Sequence, residues 1–294
     1  MVTAAERAKH AARLRGLLYL ACPDAPAVAI TSTAESIAQH AEETPHAPVP
    51  QASQLSQTES PSADNRPCLT EANLTYADLN RANLAHANLS GANLYRASLV
   101  SANLSDASLV SANLTDANLG SANLTDANLI GAELTGANLY RASLVSASLS
   151  GARLVSANLS DANLTDANLT DAELTGAGLI RANLVSANLS DANLIGANLT
   201  DAKLSGARLV SANLSGANLN RANLTRADLT NTVLEGANLM NAVDLLLPVG
   251  ATWNLRTRWP AGLASVVVEQ SDEESPGVYR VRGGQSPDRS TVRV

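Results

Sequence analysis

Residues 151–176 read GARLVSANLSDANLTDANLTDAELTG, in which Ala-x-Leu returns every fifth residue. Neither regular element has that period. An α-helix turns about 100° per residue, so a five-residue step nets about 140° and would scatter the leucines around its circumference. A straight strand alternates faces at each residue, so an odd step would send successive leucines to opposite sides. What remains is a chain that bends once per repeat and returns each Leu to the same direction. Asn, Asp, Gly and Ser fill much of the intervening sequence, and they suit such bends because they tolerate turn geometry and hydrogen-bond their own backbone. Bending repeatedly in one sense yields a coil, and stacked coils can pair their backbones as strands do. Leu and Ala then point inward, and the other three positions line the outside.

The pattern extends far beyond that stretch. Leu occupies every fifth position from Leu69 to Leu239, giving 35 repeats, and Asn precedes it in 21 of them. Ala sits two residues before the next Leu from Ala72 to Ala242, with Thr232 the one departure. Leucine-rich repeats, at about 20–29 residues, and the Gly-Gly-x-Gly-x-Asp calcium nonapeptides do not fit this period. The repeat resembles the pentapeptide-repeat family, whose consensus is Ala-[Asp/Asn]-[Leu/Phe]-x-x, over residues 68–242. The resemblance implies an all-β chain, a right-handed quadrilateral parallel β-helix with four repeats per coil. At roughly 4.8 Å per coil the rod would be about 40 Å long. Each buried Leu would contribute on the order of 1.5–3 kcal/mol before chain entropy is counted.

Composition divides the 294 residues into four parts. Residues 1–41 are expected to be partly helical, because Thr3 with Glu6 and Ser32 with Glu35 fit the capping-box spacing. Arg7, Lys9, Arg13 and Arg15 make the first helix basic, which reads as a solvated face or a contact for an acidic partner or lipid headgroups. Residues 42–67 carry Pro45, Pro48, Pro50, Pro61 and Pro67 among Ser, Gln and Glu and read as a disordered linker. The repeat fills 68–242. Residues 243–294 break the period and hold both tryptophans, Trp253 and Trp259. Hydrophobic residues make up 45 % of the chain but aromatics only 2 %, with no Phe, so the core must be built from small regular pieces.

Cys22 and Cys68 lie far apart in differently composed regions, which argues against a disulfide framework and for reduced thiols inside a cell. No apolar run approaches the roughly 20 residues of a membrane span. GLLYLAC at 16–22 resembles the end of a signal h-region before a lipidated Cys, but the run is short and Tyr19 stands where Leu would be favoured. The expected compartment is the cytoplasm.

No catalytic constellation is visible in the sequence. His10, His40, His46 and His86 are scattered and lack Cys or His at metal-ligand spacing. Gly283-Gly284 reads as a turn rather than a phosphate loop. Asp161, Asp166 and Asp171 recur at repeat spacing and would fall on successive faces. No enzyme, cofactor or metal is expected. Asn88-Leu89-Ser90 and Asn113-Leu114-Thr115 are formal glycosylation sequons, but the repeat itself generates them.

Steps of 20 residues trace the faces of the implied rod. One column runs Arg141, Asp161, Arg181, Asp201, Arg221, alternating in sign, and is the candidate interaction face or a surface ion-pair ladder. Another carries Asp106, Asp126 and Asp166 and ends on Arg226. YRASLVS occurs at 95 and 140, and SGARLVSANLS at 150 and 205. Those shifts of 45 and 55 are not multiples of 20, so each copied segment lands on a different face.

Near the C-terminus, Thr257-Arg258-Trp259-Pro260-Ala261-Gly262-Leu263 is similar to a T-x-[WF]-P-x-G-F segment that follows the repeats in bacterial members of the family, with Leu263 in place of Phe. An open last coil would expose unpaired backbone and leucine. Trp253, Trp259 and Pro260, with Leu245–Leu247, are therefore the candidate C-terminal cap. Ser265–Val268 and Tyr279–Val281 are expected to form a hairpin turning near Ser275-Pro276-Gly277.

Two functions are open at this point. The resemblance implies either a non-enzymatic structural scaffold that binds another protein, or a DNA mimic that protects type II topoisomerases such as DNA gyrase. B-DNA carries one charge per ~1.7 Å, about 24 over 40 Å. The repeat region has 14 acidic and 9 basic residues, and the overall charge is −7. That favours the scaffold, with a protein partner and no direct nucleic-acid contact.

Overall fold

The structure, a computed structural model, describes residues 69–282. The expected helix in 1–41 and the linker at 42–67 lie outside the described residues.

From Asn73 to Asn223, each residue preceding a Leu forms a parallel bridge with the residue 20 positions later, as in Asn73 with Asn93 and Asn93 with Asn113. Twenty residues are four repeats, so each coil has four sides, one repeat to a side. Between Leu69 and Leu224, Leu amides donate to the carbonyl 19 residues later at 2.7–2.9 Å, and amides such as that of Asn93 donate back to Ala72 at 2.9 Å. Each side contributes one bridging residue before the chain bends.

The bends are uniform. The amide in the Ala slot donates to the Leu carbonyl three residues back at 2.9–3.3 Å. Every residue two beyond a Leu, from Glu71 to Asn241, has φ between 53° and 70°. A positive φ at the third residue is what a type II turn requires. Gly takes it freely, and Asp, Asn and Ser tolerate it; Arg and Tyr take it at Arg81, Arg141, Arg181, Arg221 and Tyr76 because the stacked coils hold them there.

Leu and Ala fill the interior, with Leu84 to Leu224 fully buried. The exception in the Ala slot, Thr232, is also fully buried, and its hydroxyl donates to the Leu229 carbonyl at 2.8 Å, so no polar group is left unmet. Asn before Leu has a double use that turn tolerance alone does not explain. Its Oδ1 accepts the amide two residues on, as at Asn113 to Thr115, 3.1 Å. Its Nδ2 donates to the Asn one coil earlier, as Asn138 to Asn118 at 3.0 Å and Asn183 to Asn163 at 3.1 Å. Asn thus locks the turn and bridges the coils at once.

Stacking does not end with the last Leu repeat. Thr252 bridges Val233 and Arg258 bridges Asn238. Trp253 and Trp259 therefore stand in the Leu slots above Leu234 and Leu239, with Ala251 and Thr257 in the Ala slots. Three strands and one short helix follow in chain order: β1 (Thr252–Asn254), α1 (Ala264–Glu269), β2 (Ser271–Ser275) and β3 (Val278–Val281). They form an antiparallel sheet in the order β1-β3-β2. The hairpin is thus β2 with β3, and Ser265–Val268 is helical instead of pairing with Tyr279–Val281. The amides of Leu263 and Ala264 donate to the Pro260 carbonyl at 3.0 and 3.1 Å and start a helical turn, and α1 buries only Val267. Local turn bonding there overrides the strand preference of Val266-Val267-Val268.

Candidate interaction surface

Corner residues, held at positive φ, stack into four columns along the rod. In the first, Arg181 grips Asp161 bidentately, Nε to Oδ1 and Nη2 to Oδ2 both at 2.7 Å. Arg221 grips Asp201 in the same way at 2.7 and 2.6 Å. Each Arg reaches the Asp one coil earlier, and Arg181 makes no bond to Asp201, one coil later. The column is two discrete pairs, not a continuous ladder. Arg141 lies 5.0 Å from the centroid of the Tyr140 ring instead. The guanidinium of Arg181 holds the Asp161 carboxyl below its ordinary value, and Arg221 does the same for Asp201. The arginines are raised in turn by those carboxylates. All five side chains lie on one column, as the 20-residue step requires.

Other columns pair on the same register. Arg96 meets Asp116 at 3.2 Å, Arg153 meets Glu133 at 3.6 Å, and His86 lies 3.7 Å from Asp106. Arg96 also sits over the Tyr95 ring at 5.0 Å, and Tyr95 meets Tyr76 edge-on at 5.7 Å. Asp126, Asp166 and Arg226 make no ion pair among the described residues. Along the second column Asp106 and Asp126 are direct neighbours one coil apart, and Ser146 separates Asp126 from Asp166.

The two tryptophans meet edge-on at 6.0 Å, and Tyr279 stacks on Trp253 at 4.8 Å. Trp253 Nε1 donates to Ser271 Oγ at 2.9 Å, which itself donates to the Val267 carbonyl at 2.6 Å. Pro260 is buried beside Trp259. Thr257 Oγ1 donates to the Leu234 carbonyl at 2.8 Å, as Thr232 does to Leu229. Ala-x-Trp at 251–253 and Thr-x-Trp at 257–259 are the repeat with a larger core residue. The two Trp stand six residues apart, off the five-residue period, so only the stacking shows their slots.

Among the described residues no group of three His, Cys, Asp or Glu could hold a metal ion, and no helix is long and apolar enough to cross a membrane.

Four-sided coils bonded in parallel every 20 residues define a β-solenoid built on a pentapeptide. The family described as Pentapeptide repeats (8 copies) matches residues 68–106, 107–144, 142–179, 172–209 and 207–243, and the chain belongs to it. No curated protein sequence matches. HetL, a pentapeptide repeat protein involved in heterocyst differentiation regulation in the cyanobacterium Nostoc sp. strain PCC 7120, is 38 % identical over 60 % of this chain and 82 % of its own, with a TM-score of 0.37. Rfr23 from the cyanobacterium Cyanothece 51142 is 31 % identical over 40 % of this chain and 90 % of its own, TM-score 0.32. QnrB1, a plasmid-mediated fluoroquinolone resistance protein, is 18 % identical over 57 % of this chain and 88 % of its own, TM-score 0.28.

Proposed function

We propose that this chain is a non-enzymatic cytoplasmic scaffold whose rod, wound right-handed as a quadrilateral β-helix, presents its corner columns to another protein. The observation that carries this reading is the division of labour within the repeat. Leu and Ala are spent on the core and the backbone on coil-to-coil bonds, so sequence variety is confined to the three outward positions. There, charged groups stand at fixed spacing with their side chains oriented by bidentate pairing. In this reading residues 243–282 act as the cap, with Trp253, Trp259 and Pro260 closing the last coil.

A rod that mimics DNA would need a dense, unneutralised acidic face. Asp161 and Asp201 are neutralised by Arg181 and Arg221, which argues for a protein partner that reads mixed charge. The test pairs a pull-down with a gyrase supercoiling assay, using the full chain. A partner captured by the wild type and lost with the charge-reversed Asp161→Arg/Arg181→Asp chain is expected, with supercoiling unchanged at micromolar protein. Inhibition of supercoiling, or protection against a quinolone, would overturn the scaffold reading in favour of topoisomerase protection.

A further inference from the structure

One flat side of the rod is bordered by charges that the single chain cannot pair. The side is built on Asn163, Asn183, Lys203 and Asn223, which bridge one another in that order, with Val243 bridged to Asn223 above them. Two corner columns border it, all at positive φ. One is the run Arg141, Asp161, Arg181, Asp201, Arg221; the other holds Asp166, Ser186, Gly206 and Arg226. Asp166 and Arg226 are exposed and pair with nothing among the described residues. Three coils separate them, roughly 14 Å at the strand spacing, too far for a contact within one molecule. Asp161 and Arg221 stand at the same separation on the neighbouring corner, with Arg181 and Asp201 between them. Turned end for end, that four-charge run places acid on base and base on acid, and Asp166 with Arg226 does the same.

We propose that this side is a self-complementary interface, on which a second copy of the chain docks antiparallel about a two-fold axis between rungs 181–186 and 201–206. An axis lying across the rod reverses its direction and keeps each corner against its own counterpart. Asp161 then meets Arg221 of the other copy, Arg181 meets Asp201, and Asp166 meets Arg226, each contact occurring twice. Between the corners Lys203 falls opposite Asn183, and Val243, 49 % exposed, falls opposite Ser143. The charges fix both direction and register. Parallel rods would set one corner against the other, opposing Asp161 to Asp166 and Arg221 to Arg226. A slip of one coil would oppose Asp161 to Asp201 in one sense, or Arg181 to Arg221 in the other. Like charges so placed are strongly unfavourable. Asp161 and Asp201 keep their own-chain arginines, because a carboxylate has lone pairs left for a second donor across the interface. Six rungs, 141 to 241, offer roughly 400 Å² per copy, which makes the dimer weak and transient. Being weak, it leaves the corner columns available to the protein partner proposed above.

Sedimentation of the full chain at low salt, from micromolar to near-millimolar protein, tests this. The wild type should show a monomer–dimer equilibrium that weakens as salt is added. Asp166→Arg and Arg226→Asp should each weaken the dimer by about tenfold or more, since each opposes like charges. Both side chains are exposed and unpaired, so neither change disturbs the rod. An equimolar mixture of the two variants should restore the dimer, and so should the Asp166→Arg/Arg226→Asp double exchange. A monomer throughout, a dimer indifferent to the single changes, or a failure of both rescues overturns the proposal. Cross-linking in the Cys22→Ser/Cys68→Ser chain then tests the direction. Ser205→Cys would lie about one coil from its counterpart across the axis and should form a disulfide dimer. Ser105→Cys, on the same side of the rod, would lie about nine coils from its counterpart and should not. Cross-linking at both positions, as a parallel pair would give, or at neither, overturns the proposal.

Discussion

The rod from Leu69 to Ala242 and the end from Val243 to Arg282 solve one problem under opposite conditions. Within the rod, each coil has a next coil, so a small set of residues suffices: Leu and Ala inside, Asn on the side, and any residue that tolerates positive φ at the corner. At the end the described residues add no further coil, and the chain changes its parts while keeping its slots. Trp takes the place of Leu, Thr the place of Ala, and antiparallel strands take the place of parallel bridges. A periodic fold is therefore stable by repetition in its middle and by individual design where the repetition stops.

The largest expected effect falls on the end. Trp253 is 4 % exposed and touches Trp259, Tyr279 and, through Nε1, Ser271. Trp253→Ala should cost about 3–5 kcal/mol, the usual range for a buried Trp. Because interactions in the solenoid are nearest-neighbour, the loss should appear as faster hydrogen exchange in 251–282 and the last coil, with 109–169 unchanged. Uniform loss of protection along the whole rod would contradict the independence of the two regions.

Next comes the rod itself. Leu154→Ala should cost about 2–5 kcal/mol, since the bridges of Arg153 to Glu133 and Glu173 hold the neighbouring coils at fixed spacing and prevent collapse into the cavity. Chemical denaturation should show a lowered midpoint. A second transition would mean that the rod has split at the defect.

How much of this could be read from the sequence follows the same division. The period excluded helix and strand and placed Leu and Ala inside without any structure, because a single inward direction leaves no other solution. The stacking of Asn on Asn was less legible, since nothing in a single repeat reveals which residue lies 20 positions away. The column from Arg141 to Arg221 was legible in place but not in pairing. Sequence order is symmetric between Asp161 and Asp201 as partners for Arg181, and only the lean of the side chain chooses. Trp253 and Trp259 were legible as apolar material, but their slots were hidden by the irregular stretch Val243–Val249. The helix α1 was hidden by three β-branched residues whose preference is overridden by the turn bonding at Pro260.

A smaller effect separates the two regions at glycine. Gly250, at φ 75°, lies where an added Cβ would come 2.0 Å from Asn231 Oδ1, whereas Gly151, at φ 63°, would meet nothing within 4 Å. Gly250→Ala combines left-handed strain with a steric conflict and should cost about 1–3 kcal/mol. Gly151→Ala carries the strain alone, at a corner position where 26 of the repeats already hold a residue other than Gly, and should cost about 1 kcal/mol or less. Thermal unfolding of the two variants side by side measures the difference; a larger loss for Gly151→Ala would show that corner strain, not contact with the neighbouring chain, sets the tolerance.

The smallest effect is electrostatic and belongs to the rod alone. Asp161 accepts both arms of Arg181, and its carboxyl titrates below its ordinary value in the folded chain. A carboxyl whose folded value is depressed adds stability that is complete above the unfolded value and is lost as pH falls through the folded one. The pair is solvent-exposed, so screening keeps the contribution modest and salt-sensitive. Asp161→Asn should therefore lower the melting temperature slightly at pH 7. The gap to wild type should shrink as pH falls below about 4 and close once both states are protonated. It should also narrow in high salt. A gap that persists at acid pH would mean that Asp161 stabilises the corner by something other than its charge, such as hydrogen bonds that Asn cannot reproduce.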